Sequence, residues 1–162
     1  MELHNVAARA VALLKEKGLT VATAESCTGG MIAAAITDVA GASRVFGTGV
    51  VSYSCDCKMK LLGVSAGTLE AEGAVCAATA AQMAQGVRCV GDAAIGVSVT
   101  GEAGPVAAEN HPVGTVFIGL SDGDGTLVEE HHFAGDRAAV RRQAAVAVLS
   151  LLIRRLEGVE VC

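Results

Sequence analysis

Short apolar strand patterns alternate with alanine-rich helical patterns along this chain, and no other feature restricts the fold as much. Apolar spacing and glycine stops give the element order αβαβααβββα. The predicted helices span residues 3–17, 29–37, 56–62, 75–90 and 136–156, and the predicted strands span 21–24, 49–53, 93–100, 113–120 and 127–133. Helices that interleave with strands cover both faces of a sheet. The sequence therefore predicts an α/β fold, a three-layer α/β/α sandwich with a mixed, mostly parallel sheet.

The last two strands form the predicted antiparallel part of this sheet. They are joined by DGDG at residues 122–125, and an Asp-Gly pair between apolar runs is a strong hairpin signal. Residues 65–73 have a mixed pattern with one helical turn from Thr68. Hydrophobic residues make up 52% of the chain and aromatic residues only 2%, so small side chains favour close helix-on-sheet packing. At 162 residues, we expect one domain that spans residues 1–162.

Charge and hydropathy exclude several classes of partner. The net charge is −5, and the richest basic stretch, residues 137–142, has the spacing of a helix face, so we expect no nucleic-acid partner. No apolar run reaches the roughly 18–20 residues of a membrane span, and the first residues are not the basic start of a secretory signal. We therefore expect no membrane partner and a cytoplasmic protein whose six cysteines are reduced core residues. Cys55 and Cys57 have no second Cys/His pair at ligand spacing, so no metal site is expected.

Ser26 stands where the first strand pattern breaks into a small-residue elbow, before the next helical pattern begins. Backbone N–H groups that open a helix are free and carry partial positive charge. Such donors stabilise the oxyanion that forms when a serine attacks an acyl carbon, and we expect them around Thr28, Gly29 and Gly30. The alternative is that Ser26 is only a helix N-cap.

Tyrosine and lysine are scarce in this chain, and they cluster. Tyr53 is the one tyrosine, and two of the four lysines, Lys58 and Lys60, follow it closely. A serine with a lysine base is a known form of nucleophilic catalysis, and two lysines at this spacing face different directions, so only one can reach Ser26. The alternatives are a solvated lysine and a packed tyrosine. Cys27 is a rival nucleophile, but without a nearby histidine it fits better as a small core residue.

A second glycine-rich loop, residues 100–105, also follows a buried strand pattern. Ligands of open α/β sheets bind beyond the carboxyl ends of the strands, so Thr100, Gly101 and Gly104 are expected to share a crevice with the elbow. Neither loop has the spacing of a phosphate-binding loop or a dinucleotide fingerprint, and we expect no cofactor.

Two arginines of the last helix are candidates for binding an anionic substrate group. Arg137 and Arg141 are four residues apart, which places them on one helix face. A guanidinium fork matches phosphate oxygens, whereas the alternative is solvated helix charge.

Eight segments of the sequence resemble the CinA C-terminal domain family. They are AESCTGG at residues 24–30, TDVAGAS at 37–43, VSYS at 51–54 followed by Lys58, LLGV at 61–64, GAV at 73–75, SVTGEAGP at 98–105, PVGTV at 112–116 and FAGDRAAVRRQA at 133–144. They come in the family's order and cover nearly the whole chain. The resemblance implies an amidase that converts nicotinamide mononucleotide to nicotinate mononucleotide and ammonia, with Ser26 as nucleophile, Lys58 as base and Tyr53 beside them.

The resemblance also reveals where this chain departs from the family. Residues 106–110 (VAAEN) replace a stretch that is usually glycine-rich, Glu102 replaces an isoleucine, and Cys55-Asp-Cys57 replaces Asn-Glu-Ala. Two alternatives therefore stay open, a non-catalytic module that binds a pyridine nucleotide and an amidase for another small carboxamide. In either case, we expect a small-molecule ligand and a homo-oligomer.

Overall fold

The structure is a computed structural model that describes residues 2–159, and its elements follow the predicted order closely. The helices are α1 Leu3–Lys17, α2 Met31–Thr37, α3 Cys55–Leu62, α4 Ala66–Glu72, α5 Ala77–Val90 and α6 Arg137–Glu157, with a short 3-10 helix at Ala42–Arg44. The strands are β1 Val21–Glu25, β2 Phe46–Val51, β3 Ile95–Gly101, β4 Thr115–Asp122 and β5 Gly125–His132.

Within the described residues the strands form one five-stranded sheet in the order β2-β1-β3-β4-β5. Strand β1 pairs in parallel with both β2 and β3, whereas β4 is antiparallel to both β3 and β5. The predicted hairpin is confirmed, with Asp122 opposite Gly125 and the Asp124 N–H donating to Asp122 Oδ1 at 2.9 Å. The predicted mixed sheet is thus confirmed, and β4 is the strand that runs against the others.

Helices cover both faces of this sheet, as the sequence predicts. Helices α1, α2 and α6 pack together on one face, and α3 and α4 pack against α5 on the other. Glycines let α5 approach the sheet closely, because a Cβ on Gly96 or Gly119 would lie 2.2 or 2.8 Å from a carbonyl oxygen of α5. Ser98 adds a 2.6 Å hydrogen bond from its hydroxyl to the Ala80 carbonyl of the same helix. Small residues therefore have the close-packing role that the composition suggests.

Most predicted bounds differ from the observed ones by one or two residues, and three differences have a physical reason. Helix α4 was expected as mixed structure, because none of its residues is buried and it has no apolar stripe to reveal it. Helix α2 begins at Met31, two residues later than predicted, since Gly29 and Gly30 adopt φ values of 61° and 102°. Strand β2 begins at Phe46 and ends before Tyr53, because the glycines of its first half hide the strand pattern.

The structure also tests the expectations for the cysteines and for membrane-spanning helices over residues 2–159. All cysteines at described positions are free, and Cys27 and Cys76 are buried as expected. Cys55 and Cys89 are exposed, so the expectation that they are core residues is wrong, and Cys162 lies outside the described residues. Among the described helices, none combines the length and apolar character needed to cross a membrane.

Candidate active site

Ser26 and Lys58 lie in direct contact at the carboxyl end of β1. Lys58 Nζ donates hydrogen bonds to Ser26 Oγ at 3.0 Å and to the Ser52 carbonyl oxygen at 2.7 Å. The lysine belongs to α3, which Ser54 caps by accepting from the Cys57 N–H at 3.1 Å. Only 1% of Lys58 is exposed, so the alternative of a solvated lysine is wrong at this position.

The surroundings of Lys58 favour its neutral form. Burial removes water from the ammonium and lowers the pKa of Lys58 below the usual lysine value, although nearby Cys55, Cys27 and Glu109 act in the opposite direction. A lysine must lose its proton to act as a base, and desolvation is the usual means. Lys60, in contrast, is exposed. Lys58 therefore differs from Lys60 both in its burial and in its contact with Ser26.

Cys27 is unsuited to the role of rival nucleophile. Burial raises the pKa of its thiol to about 12, because the thiolate would lose its hydration. Since the thiolate is the reactive form, this cysteine stays inert at neutral pH. The expectation of a small core side chain agrees with its 5% exposure.

Glu25 is a buried positioning residue that sequence reasoning did not identify. Its carboxylate is 1% exposed and accepts hydrogen bonds from Thr28 Oγ1 at 2.7 Å and from the N–H groups of Ile32 and Ala33 at 2.9 and 3.0 Å. The expectation that free N–H groups of α2 lie against Ser26 is therefore wrong for these two residues, because Glu25 occupies them. A carboxylate just before a helix start is the signal that points to this role.

Arg141 fixes the elbow from the other side. Its guanidinium donates to the carbonyl oxygens of Cys27 at 3.0 Å and Thr28 at 3.1 Å. Among the described residues, Gly30 is the N-cap of α2 without a side-chain cap bond, so Ser26 is not a helix cap. Arg141 is not in the lining of the cavity beside Ser26, and its contact with a substrate phosphate stays a prediction.

A cavity of about 290 Å³ opens beside the Ser26–Lys58 pair. Seven of the predicted site residues are in its described lining: Ser26, Tyr53, Lys58, Thr100, Gly101, Gly104 and Arg137. Four predicted site residues lie outside that lining: Thr28, Gly29, Gly30 and Arg141. The elbow and the second glycine-rich loop thus share a cavity, as predicted, but residues 28–30 of the elbow do not line it.

Arg137 and Tyr53 form one rim of the cavity. Arg137 donates to the Gly104 carbonyl at 2.7 Å through Nη1 and to Tyr53 Oη at 3.0 Å through Nη2. Tyr53 is 64% exposed, so the alternative of a packed tyrosine is wrong. The contact joins the start of α6 to the segment between β2 and α3.

The loop at residues 102–110 forms another wall of the same cavity. Glu102 and Glu109 both line it, together with Ala74 and Val75 of the bend before α5. Thr100 joins this wall because its hydroxyl donates to the Ala74 carbonyl at 2.7 Å. Over residues 2–159, no three His, Cys, Asp or Glu side chains are grouped closely enough to hold a metal ion.

Comparison with known proteins places this geometry in a family. The family model described as the CinA C-terminal domain matches residues 3–156. The chain belongs to the CinA C-terminal domain family. Solved structures agree: a CinA superfamily protein from Klebsiella pneumoniae has a TM-score of 0.95 at 33% identity, covering 98% of this chain and 99% of that one. A competence/damage-inducible protein from Agrobacterium tumefaciens has a TM-score of 0.92 at 38% identity, covering 97% and 96%.

Curated relatives differ in length. A CinA-like protein from Geobacter sulfurreducens is 49% identical over 145 residues, which is 89% of this chain and 35% of that protein. The chain spans about a third of the length of this and other CinA-like relatives. A protein from Enterobacter agglomerans named nicotinamide-nucleotide amidohydrolase PncC is 49% identical over 154 residues, which is 94% of both chains. The resemblance found in the sequence is confirmed at the level of the family.

Proposed function

We propose that this chain is a nicotinamide-nucleotide amidase in which Ser26 is the nucleophile and Lys58 the base. The observation that carries the proposal is the 3.0 Å contact between Lys58 Nζ and Ser26 Oγ, made by a lysine that is 1% exposed. The relative named as an amidohydrolase, matched over 94% of both chains, supports the reaction class.

The contacts of Lys58 suggest how the proton moves. A neutral amine has two N–H bonds and one lone pair, so an N–H can remain on the Ser52 carbonyl while the lone pair faces Ser26 Oγ–H. Lys58 takes that proton as Ser26 Oγ attacks the carboxamide carbon. The ammonium of Lys58 then gives this proton to the amide nitrogen, the C–N bond breaks, and the nitrogen leaves as ammonia. Lys58 next takes a proton from water as that water attacks the ester on Ser26. The C–Oγ bond breaks, Lys58 returns the proton to Ser26 Oγ, and nicotinate mononucleotide is released.

The oxyanion needs a donor inside the cavity, and the contacts of the elbow narrow the choice. The N–H groups of Ile32 and Ala33 bind Glu25, and the N–H of Gly29 binds the Ser26 carbonyl at 3.1 Å. Cys27 directly follows the nucleophile and lines the cavity, and in α/β-hydrolases the residue after the nucleophile supplies this donor. Thr28, Gly29 and Gly30 lie outside the cavity lining, so we propose the Cys27 N–H as the oxyanion donor in their place.

Arg137 is the proposed phosphate contact. Its side chain lines the cavity at the first turn of α6, where a helix N-terminus adds its own attraction for an anion. Thr100, Gly101 and Gly104 complete the proposed binding wall. A cytoplasmic location and a homo-oligomer stay predictions.

Incubation of the purified protein with nicotinamide mononucleotide tests the proposal. We expect ammonia and, by mass spectrometry, a product heavier by about one mass unit that matches nicotinate mononucleotide, with Ser26→Ala as the inactive control. Binding without ammonia release would favour the non-catalytic module that the changed loop leaves open. Turnover of other small carboxamides but not of the mononucleotide would favour an amidase of different specificity.

A further inference from the structure

Two carboxylates in the loop between β3 and β4 are arranged as a connected pair. Glu102 is 4% exposed, and its two oxygens accept from the N–H groups of Ala108 and Glu109, each at 2.8 Å. Glu109 in turn accepts from the N–H groups of Ala74 at 2.8 Å and Val75 at 3.0 Å. Glu102 thus positions the backbone that carries Glu109, and Glu109 attaches the loop to the bend before α5. Each of the four carboxylate oxygens thus accepts a backbone N–H.

These carboxylates determine the charge of the cavity wall. Among the described lining residues, the side chains that carry charge at neutral pH are Glu102, Glu109, Arg137 and, when protonated, Lys58. With Lys58 neutral, as the proposed mechanism needs, the wall has two negative charges and one positive charge. The field of Glu109 extends to the reacting atoms, because it is among the charges that raise the pKa of Lys58 against the larger effect of burial.

The two sides of the cavity therefore carry charges of opposite sign. The guanidinium of Arg137 lies at the rim with Tyr53, whereas the carboxylates of Glu102 and Glu109 lie beside the loop and the bend. A substrate with an anionic end and a cationic ring matches both sides. A carboxylate product is disfavoured where the carboxamide was bound, since like charges in a partly desolvated site repel.

We propose that Glu109, held in place by Glu102, is a specificity-determining residue that selects carboxamides on a cationic heteroaromatic ring over the same carboxamide on a neutral ring. The inference rests on the proposed amidase function and adds to it the residue that recognises the charge of the ring.

The oxidised and reduced forms of nicotinamide mononucleotide provide matched probes, because they share the carboxamide, ribose and phosphate and differ in ring charge. Their dissociation constants are measured by calorimetry in the Ser26→Ala background, where no turnover occurs. We expect Glu109→Gln to reduce the preference for the oxidised form by about tenfold, as expected for losing one charge near the ring at a surface-like dielectric constant. Glu109→Asp retains the charge and should retain the preference, even where both affinities fall.

Glu16→Gln is the matched control, because it removes the same charge from an exposed position on α1, across the sheet. It should leave the preference unchanged, and thermal melting checks that each variant is folded. If Glu109→Gln weakens the two forms equally, Glu109 only holds the loop and the inference is overturned. If the Ser26→Ala protein binds neither form, the proposed function itself fails, which is a different outcome.

Discussion

The elbow at residues 25–30 and the loop at residues 102–110 are both held by a buried glutamate, but the elbow is enclosed and the loop faces solvent. Both follow the carboxyl ends of neighbouring parallel strands, and in both a buried glutamate binds backbone N–H groups. The carboxylate oxygens of Glu25 accept hydrogen bonds from α2, and Glu25 is not in the cavity lining. Thr28, which also donates to Glu25, is fully buried. The carboxylate oxygens of Glu102 accept hydrogen bonds from the loop that follows it, in which Val106 is 82% exposed.

This difference indicates how each segment tolerates a change of residue. The elbow is enclosed by α2, Arg141 and β3, so a change of residue there disturbs several buried contacts and the reacting hydroxyl together. The loop faces solvent and the substrate, where a change alters what binds with little effect on the core. We therefore assign chemistry to the elbow and selection to the loop.

Ser26→Ala gives the largest expected effect and tests whether chemistry resides in the elbow. Removing Oγ should abolish amidase activity because Cys27, the adjacent candidate, has a thiol pKa of about 12 and supplies no thiolate. Far-ultraviolet circular dichroism and the melting temperature should stay near wild type. Retention of more than a few per cent of wild-type kcat would remove Ser26 from the mechanism.

Lys58→Ala should lower kcat by a factor on the order of 10²–10⁴, the usual weight of general-base assistance. Lys60→Ala is the matched control, since that lysine is two residues away on the same helix and exposed, and its kcat should change little. Steady-state kinetics with nicotinamide mononucleotide measures both. A reversed order of the two effects would mean that the base is assigned to the wrong lysine.

Glu25→Ala tests the elbow's support without touching the reacting atoms. It leaves the N–H groups of Ile32 and Ala33 without their acceptor, and each unsatisfied buried group costs about 1–3 kcal/mol of unfolding free energy. We expect a lower midpoint in urea and a loss of kcat of roughly tenfold or more as Ser26 loses its position. Unchanged stability would show that the elbow does not depend on this carboxylate.

Arg137→Ala and Arg141→Ala give the smallest effects and separate the cavity rim from the elbow. Loss of the Arg137 charge should raise KM for the mononucleotide by roughly tenfold, while nicotinamide riboside, which lacks the phosphate, should be affected little. Arg141→Ala should weaken turnover of both substrates, because it releases the carbonyls of Cys27 and Thr28. If Arg137→Ala weakens both substrates equally, the phosphate is held elsewhere.

Much of the site could be predicted from the sequence, and the limits have physical causes. Ser26 could be predicted from the strand–elbow–helix pattern, and the scarcity of lysines narrowed the base to Lys58 or Lys60. The choice of Lys58 came from the family resemblance. Arg137 and Arg141 share a helix face, and only tertiary packing decides that one meets the cavity and the other the elbow. The role of Glu25 depends on α2 beginning at Met31, which requires the positive φ of two glycines.

The roles of the loop residues were less accessible. Glu109 acts through N–H groups that lie 34 and 35 residues earlier in the chain, and no local pattern reports such a contact. Helix α4 was missed for a related reason. None of its residues is buried, so the helix has no apolar stripe that the sequence could show. Periodicity predicts elements that bury one face, and it gives no signal for loops and exposed helices.

The pH dependence of kcat for nicotinamide mononucleotide tests the central claim, that a desolvated Lys58 is the base for Ser26, most directly. Burial lowers the pKa of Lys58, so the neutral amine accumulates at lower pH than in free lysine. Activity should rise with pH and reach half of its plateau well below about 10.4, the ordinary value for lysine. The residual activity of Lys58→Ala should lack this limb. A wild-type rise centred at the value of free lysine, or the same limb in Lys58→Ala, would contradict the account.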